Sequence, residues 1–383
     1  MGFQYVQACP VLFGEGTAKE VGLKIKDLGS DRVLIVCDQN VKALGIVAKV
    51  VDGFKSTGIS TFEFDKVEPD PSDTVINEGG QFAREIQANG IVGIGGGSVL
   101  DAAKAIKVLV SNPGAINRYM DGALPSDIHT PLILVPTTSG TGSEVTMVAV
   151  ITDTKRKKKL GVPSVATLSV VDPELLYDMS PRITAETGMD ALAHAAESYT
   201  CNQSHMHSEI LALAAMKKLR KYLPLAVAEG TNVKARREVA LASNIAGIAF
   251  NESFVHVGHA MAHGLGMVYH VSHGAGCALE LPVALEFVAK AVPDRVEDIG
   301  EIFGVKFKGD ESSEQVGVAT GDALRRFIKK IGILSLKERG IVKDRLPECI
   351  DYAMDDFLVG YTPCKVEKND VVQMYRDIFD KYQ

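Results

Sequence analysis

Three short runs in the first half of the chain, VLIVCD (Val33–Asp38), GIVGIGG (Gly90–Gly96) and LILVPT (Leu132–Thr137), are apolar throughout rather than at every second position. A strand that is apolar on both faces must be covered on both, which is the condition of a parallel sheet between two layers of helices. Helix-like segments alternate with such runs from about residue 10 to 180, so this part reads as an α/β domain. After Ser180-Pro181 the pattern becomes helical, as in EILALAAMKKLRKYL from Glu209 and GDALRRFIKKIG from Gly321. The expected organisation is an α/β domain with a parallel sheet and a dinucleotide crevice over residues 1–180, followed by an all-α domain over 181–383. Pro181 is expected in a helix first turn. A length of 383 residues suits two domains.

Composition narrows the function. A net charge of −7, with one short basic cluster at Lys155–Lys159, speaks against a nucleic-acid partner. No apolar run approaches the roughly 20 residues of a membrane span. The start, MGFQYVQACP, lacks a basic region followed by an apolar stretch, so the expected location is the cytoplasm, with no membrane association. Cys9, Cys37, Cys201, Cys277, Cys349 and Cys364 form no CxxC pair and read as reduced structural thiols. A metal, if one is bound, must then be held by nitrogen and oxygen.

Two loops of small residues follow apolar strands. In GIGGGSVLDAAKAIK (Gly93–Lys107) a strand passes through glycines into a helix, where a phosphate could approach the backbone and meet the helix N-terminal N–H groups; a plain strand-to-helix turn is the alternative. Ser98 stands where G-x-G-x-x-G needs its third glycine, so the standard dinucleotide fingerprint is absent. VPTTSGTGSEVT (Val135–Thr146) adds hydroxyls to backbone donors, and together the two loops suggest one cofactor crevice at the strands' carboxyl ends. Asp38 could accept hydrogen bonds from an adenosine ribose and repel a 2′-phosphate, or simply cap a turn.

Histidine is concentrated in GHAMAHGLGMVYHVSHG (Gly258–Gly274), which holds four of the chain's nine. His259 and His263 share a helical face, and His273 follows ten residues later in an expected loop. Asp190 and His194, four apart in TAETGMDALAHAAESY (Thr184–Tyr199), repeat the device. Each histidine alone reads as a hydrogen-bonded structural residue. Together, one carboxylate with two or three neutral imidazoles would suit a divalent cation with an open position for a substrate oxygen. His205 and His207 are expected in a surface loop and receive no role.

GGGSxxDxxK (Gly95–Lys104), PTTSGTGSE (Pro136–Glu144), GMDALAHAAESY (Gly188–Tyr199) and the histidine segment resemble, in order and over nearly the whole length, the iron-containing (group III) alcohol dehydrogenases. The resemblance implies the dehydroquinate synthase-like fold of that family and metal ligands at Asp190, His194, His259 and His273. It also implies a proton-relaying His263 beside the nicotinamide, and NAD(H) contacts at Asp38, Asp70, Gly96, Gly97, Ser98, Thr137, Thr138 and Lys159. Fe(II) is the implied ion, although such ligands would hold Zn(II) as well. The implied activity is that of an NAD(H)-dependent alcohol dehydrogenase or aldehyde reductase on a small primary alcohol or aldehyde, including polar or anionic ones such as sulfoacetaldehyde, in a homodimer or larger assembly. Phe250 matches an aromatic wall of the substrate pocket and Val148 a position that is polar in many members. Asp70 replaces the usual asparagine of EPNPT, and TPCK (Thr362–Lys365) a familiar NPR. Alternatives are a metal-dependent lyase of the dehydroquinate synthase type, a glycerol dehydrogenase-like polyol oxidoreductase, and a non-catalytic scaffold.

Overall fold

The computed structural model describes residues 3–383, which separate into two compact units, residues 7–177 and residues 178–383, the second including residues 3–6. The first unit is the α/β one. Strands β1 (Val11–Phe13), β2 (Arg32–Val36), β3 (Ser60–Phe64), β4 (Gly90–Gly95), β5 (Leu132–Pro136) and β8 (Leu168–Val171) form a parallel sheet in the order β1-β8-β5-β4-β2-β3. The residues Val33–Val36, Ile91, Val92, Ile94 and Leu132–Val135 are inaccessible, as a doubly covered sheet demands. From β2 the chain steps to β3 on one side and then crosses to β4 on the other, so the winding reverses between β2 and β4. A reversal of this kind opens a crevice at the strands' carboxyl ends. Asp38 follows β2 at this point, and Gly96 follows β4.

Gly95 pairs with Pro136 in register, and the Thr137 N–H donates to the Gly95 carbonyl at 2.9 Å, so the loops after β4 and β5 leave the sheet side by side. Strands β6 (Val148–Asp153) and β7 (Lys158–Pro163) make a separate antiparallel hairpin. Its turn closes on the Asp153 carboxylate, which accepts from the N–H groups of Lys155 (3.0 Å) and Arg156 (2.7 Å). The basic cluster is thus a hairpin turn and the start of its return strand.

The second unit is helical, with no strand among the described residues. Its central helix, Pro181–Thr200, starts as the sequence suggests: Ser180 Oγ accepts from the Ile183 N–H and Pro181 occupies the first turn. From Thr184 on this helix is buried on every side apart from Thr187, which its alanines and Gly188 permit by letting neighbouring helices close in. Helices Met206–Ala228, Val233–Ser253, Val257–Tyr269 and His273–Val288 pack around it through Met189, Leu192, Met216, Leu219, Leu223, Met261, Leu265, Leu281 and Leu285. His205 and His207 belong to a helix start rather than a loop: His205 Nδ1 accepts from the Ser208 N–H, and Phe3 and Tyr5 stack on the two rings at 4.4 and 4.9 Å. All six cysteines carry free thiols. Among the described residues no helix is long and apolar enough to cross a membrane.

Glu280, on His273–Val288, is inaccessible and neither carboxyl oxygen has a hydrogen-bond partner. Burial therefore pushes its carboxyl well above the usual range, with the charge of Glu197 adding to the effect. A folded group whose affinity for a proton exceeds that of the unfolded chain stabilises below its unfolded pKa and loses that stabilisation as pH rises through its folded value. Replacing Glu280 by Gln should remove this dependence. Calorimetry should find the variant's Tm gaining on the parent between pH 5 and pH 8, and a constant Tm difference would contradict the assignment.

Candidate functional site

In the helical unit, one face of Pro181–Thr200 carries Asp190, His194 and Glu197 at successive turns. Helix Val257–Tyr269 presents His259 and His263 in the same way and runs unbroken through Gly264 and Gly266, ending where His270 takes the left-handed conformation. His273 lies at the first position of His273–Val288, not in a loop. Gly274 fixes it there: a Cβ at this residue would run into the Glu186 carbonyl oxygen, so only glycine lets the helix start rest on the Glu186 backbone.

These elements aim three imidazoles at one oxygen. Asp190 Oδ1 stands 3.8 Å from His194 Nδ1, 3.9 Å from His259 Nε2 and 3.4 Å from His273 Nε2. Such separations are too long for good hydrogen bonds. Two ligands bonded at about 2.0–2.1 Å to one tetrahedral ion stand about 3.3–3.4 Å apart, so these distances suit atoms that share a cation. Asp190 Oδ1 and His259 Nε2 are buried without any hydrogen-bond partner, an arrangement that a bound cation would satisfy. Burial pushes the Asp190 carboxyl up and drives the His259 imidazole down to about 3, leaving the ring neutral, the form that binds metal. The donor set thus fits a divalent ion.

Cys277, one turn after His273, belongs to the same cluster: the donor atoms of Asp190, His259, His273 and Cys277 lie within 4.8 Å of one another. Burial and the Asp190 carboxylate hold its thiol well above the usual range, so it is protonated and a weaker donor than the imidazoles. His194 stacks on Phe250 at 4.1 Å and on His259 at 4.6 Å, which puts the aromatic ring against the cluster. His263 stacks on His273 at 5.3 Å, and its Nδ1 is 2.7 Å from Asp356 Oδ2. Burial would raise the Asp356 carboxyl, but its bond to His263 carries it below its ordinary value. Glu197 Oε1 is 2.7 Å from His259 Nδ1.

The α/β unit gathers the residues of the two loops. Gly96 caps helix Gly97–Ser111, opening its N–H groups beyond β4. None of Gly95, Gly96 and Gly97 needs a left-handed backbone, so their meaning lies in space. A Cβ on Gly97 would fall 2.6 Å from Thr141 of the neighbouring loop, whereas one on Gly96 would touch only Thr138, at 3.4 Å. Asp70 adopts φ 55°, a conformation that asparagine and aspartate tolerate best, and donates its N–H to Ser98 Oγ at 3.2 Å. Its carboxylate pairs with Lys159 at 2.6 Å. Asp38 Oδ1 accepts from the Val41 N–H at 2.9 Å, so it does cap a turn, with its second oxygen still available.

Sequence reasoning passed over Glu197, Asp356, Asp101 and Lys104. Asp101 accepts from Ser143 Oγ (2.5 Å) and the Val150 N–H (3.1 Å), while the buried Lys104 donates to Thr146 Oγ1 (2.9 Å) and the Val148 carbonyl (3.0 Å). The D and K of GGGSxxDxxK therefore tie the second loop and β6 to the helix, leaving the Val148 side chain exposed. The i,i+3 spacing of the two charges was the available signal.

Comparison with known proteins gives a consistent picture. Residues 10–173 match the family described as iron-containing alcohol dehydrogenase, and residues 184–379 match its C-terminal family. The chain is 34% identical over 370 residues to the NAD-dependent methanol dehydrogenase of Bacillus methanolicus, covering 96% of this chain and 97% of that protein. A crystal structure of 1,3-propanediol oxidoreductase superposes with a TM-score of 0.93 at 32% identity, over 99% of this chain and 100% of the other. Sulfoacetaldehyde reductase from Bifidobacterium kashiwanohense in complex with NAD+ gives 0.88 at 29% identity, over 99% of each chain.

The unequal space at the two glycines leads to a direct test. Gly97→Ala should cost about 1–3 kcal/mol by overpacking, and Gly96→Ala should leave stability within about 0.5 kcal/mol, both read by denaturant titration. Equal losses would mean that both glycines serve packing alone.

Proposed function

The chain belongs to the iron-containing alcohol dehydrogenase family, and on that premise we propose that it interconverts a small primary alcohol and its aldehyde with NAD(H), using a divalent ion held by Asp190, His194, His259 and His273. The observation that carries this reading is the convergence of three imidazoles on one buried, otherwise unpartnered oxygen of Asp190. Cys277 stays outside the proposed set because its thiol would have to ionise near three buried carboxylates, Asp190, Glu197 and Glu280.

When bound, the ion would supply Lewis acidity toward a substrate oxygen and NAD(H) would supply the hydride chemistry. This chain's residues do the rest. Gly96, Gly97 and the helix N-terminus bind the pyrophosphate through backbone N–H groups, with Ser98, Thr137 and Thr138 adding hydroxyls. Asp38 takes the ribose hydroxyls and excludes a 2′-phosphate by repulsion, while Lys159 and Asp70 hold the loop edge in place. Asp356 orients His263 so that Nδ1 carries the hydrogen bond and Nε2 is left to exchange a proton. Phe250, stacked on His194, gives the substrate an apolar wall beside the proposed ligands, which favours a short carbon chain over a phosphorylated polyol and weighs against the lyase alternative. Relatives whose names specify methanol, 1,3-propanediol and sulfoacetaldehyde set the range to test. The assembly is a homodimer or larger, as the family implies.

The decisive assay is the loss of NADH absorbance with short aldehydes, neutral and anionic. Activity should vanish on chelation and return with Fe(II) or Zn(II), the better restorer identifying the ion. Indifference to chelation would overturn the metal assignment. His263→Ala should keep full metal content and lower kcat by about 10²–10⁴-fold, the usual weight of a general acid–base. Undiminished turnover across the pH range would remove His263 from the proton path.

A further inference from the structure

Beyond the four proposed ligands, the helical unit contains a carboxylate that touches neither the cluster's central oxygen nor solvent. Glu197 is 1% exposed and lies one turn beyond His194 on Pro181–Thr200. Two backbone N–H donors and the Nδ1 atoms of two histidines are set against it. Oε2 accepts from the backbone N–H of His256 at 2.7 Å and of His259 at 3.3 Å, and Oε1 faces His259 Nδ1 at 2.7 Å. The ring of His256 stands 3.2 Å from Oε2 through Nδ1 but makes no hydrogen bond there, and its Nε2 is bonded to Thr200 Oγ1 at 2.9 Å. Gly258 completes the fit, since a Cβ there would fall 2.6 Å from Oε1 and push the carboxylate off the ring.

We infer that Glu197 is the positioning residue of the metal centre: by accepting the His259 Nδ1–H it fixes the tautomer in which Nε2, the nitrogen aimed at Asp190, carries a lone pair instead of a proton. The inference rests on the metal-binding role proposed above for His259. An imidazole with its proton on Nε2 cannot donate that nitrogen to a cation, and histidine ligands are characteristically held by a carboxylate on the opposite nitrogen for this reason. The same side chain clamps the first turn of Val257–Tyr269 through two backbone N–H groups, so ring orientation and helix placement are set together.

Glutamine shows why the charge matters. Its oxygen can face the two backbone N–H groups or the ring, not both, because its other terminus is a donor. If the oxygen takes the backbone pair, the amide NH₂ faces Nδ1, which must then be the acceptor, and the ring proton moves to Nε2. If the oxygen takes the ring, the NH₂ opposes two N–H donors. Either arrangement works against a metal-ready His259. A role confined to packing would tolerate the exchange, because the two side chains have nearly the same shape.

The test compares the full-length parent, Glu197→Gln and Glu197→Asp in metal-free form. Zn(II) affinity is measured by competition with a chromophoric chelator, and the ring tautomer by nitrogen NMR on histidine-labelled protein. The parent should bind one Zn(II) and show the Nδ1–H form at His259. Glu197→Gln should bind about 10–100-fold more weakly, the range typical of lost outer-shell partners, with the Nδ1–H signature gone. Glu197→Asp keeps the charge on a shorter arm and should fall between the two; it decides the question alone if the Gln variant does not fold. Parent-like affinity and tautomer in a folded variant would overturn the positioning role while leaving the metal site standing. Weaker binding with the tautomer unmoved would assign Glu197 to helix packing and overturn it as well. A parent that binds no Zn(II) would instead remove the metal reading itself.

Discussion

The helical unit is organised around a carboxylate placed where water cannot reach it. Asp190 is buried on the central helix with three imidazoles ranged about one of its oxygens at 3.4–3.9 Å. An ionised group in such a position is costly unless it is paired, and neutral rings at these distances do not pair it. A divalent cation would reverse the balance, turning buried lone pairs into bonds and the low proton affinity of His259 into an advantage. Much else follows from this requirement: the all-round burial of Pro181–Thr200, the small residues that let helices approach it, and the glycines at 258 and 274 where side chains would collide with Glu197 and with the Glu186 backbone.

The α/β unit solves a different problem by different means. Its binding loops are held by polar ties within the unit: Asp101 and Lys104 fasten the second loop and β6 to the helix that follows the first, and the Thr137 N–H closes onto Gly95. The fully buried Lys104 has its proton affinity lowered by desolvation, yet three oxygens surround its ammonium, which is why the charge is tolerated. Rigidity is thereby given to the frame, while the open space beside Gly96 is left for whatever the loop receives.

How much of this could be read from the chain depends on the range of the interaction. The two-layer division was legible because burial on both faces of β2, β4 and β5 leaves uninterrupted apolar runs. The pairs Asp190–His194 and His259–His263 were legible because one helical turn is a local spacing. His273 was misjudged as a loop residue because its helix start is set by contact with the Glu186 backbone, which no local pattern records. Asp356 lies 93 residues from His263, and Glu197 lies 62 from His259, so the partners that orient the rings are tertiary facts. The three neighbouring glycines looked alike in sequence; only the fold separates Gly97, pressed on Thr141, from Gly96, which has room. Asp38 kept both of its readings, since capping a turn uses one carboxylate oxygen and leaves the other.

The buried carboxyls of the helical unit also bear on how folding and metal binding are linked. Glu197 is compensated by backbone donors, one oxygen of Asp190 has no hydrogen-bond partner, and Glu280 has none on either oxygen, so each draws differently on the stability of the same helices. A ligand that binds only the folded state adds RT ln(1 + [L]/Kd) to stability. An ion held by the proposed ligands would therefore stabilise the helix carrying Asp190 and, through His259 and His273, the helices Val257–Tyr269 and His273–Val288. In this arrangement the centre that would perform the chemistry is also the tie between three helix segments, and any change that loosens the ion should be felt in the packing of all three.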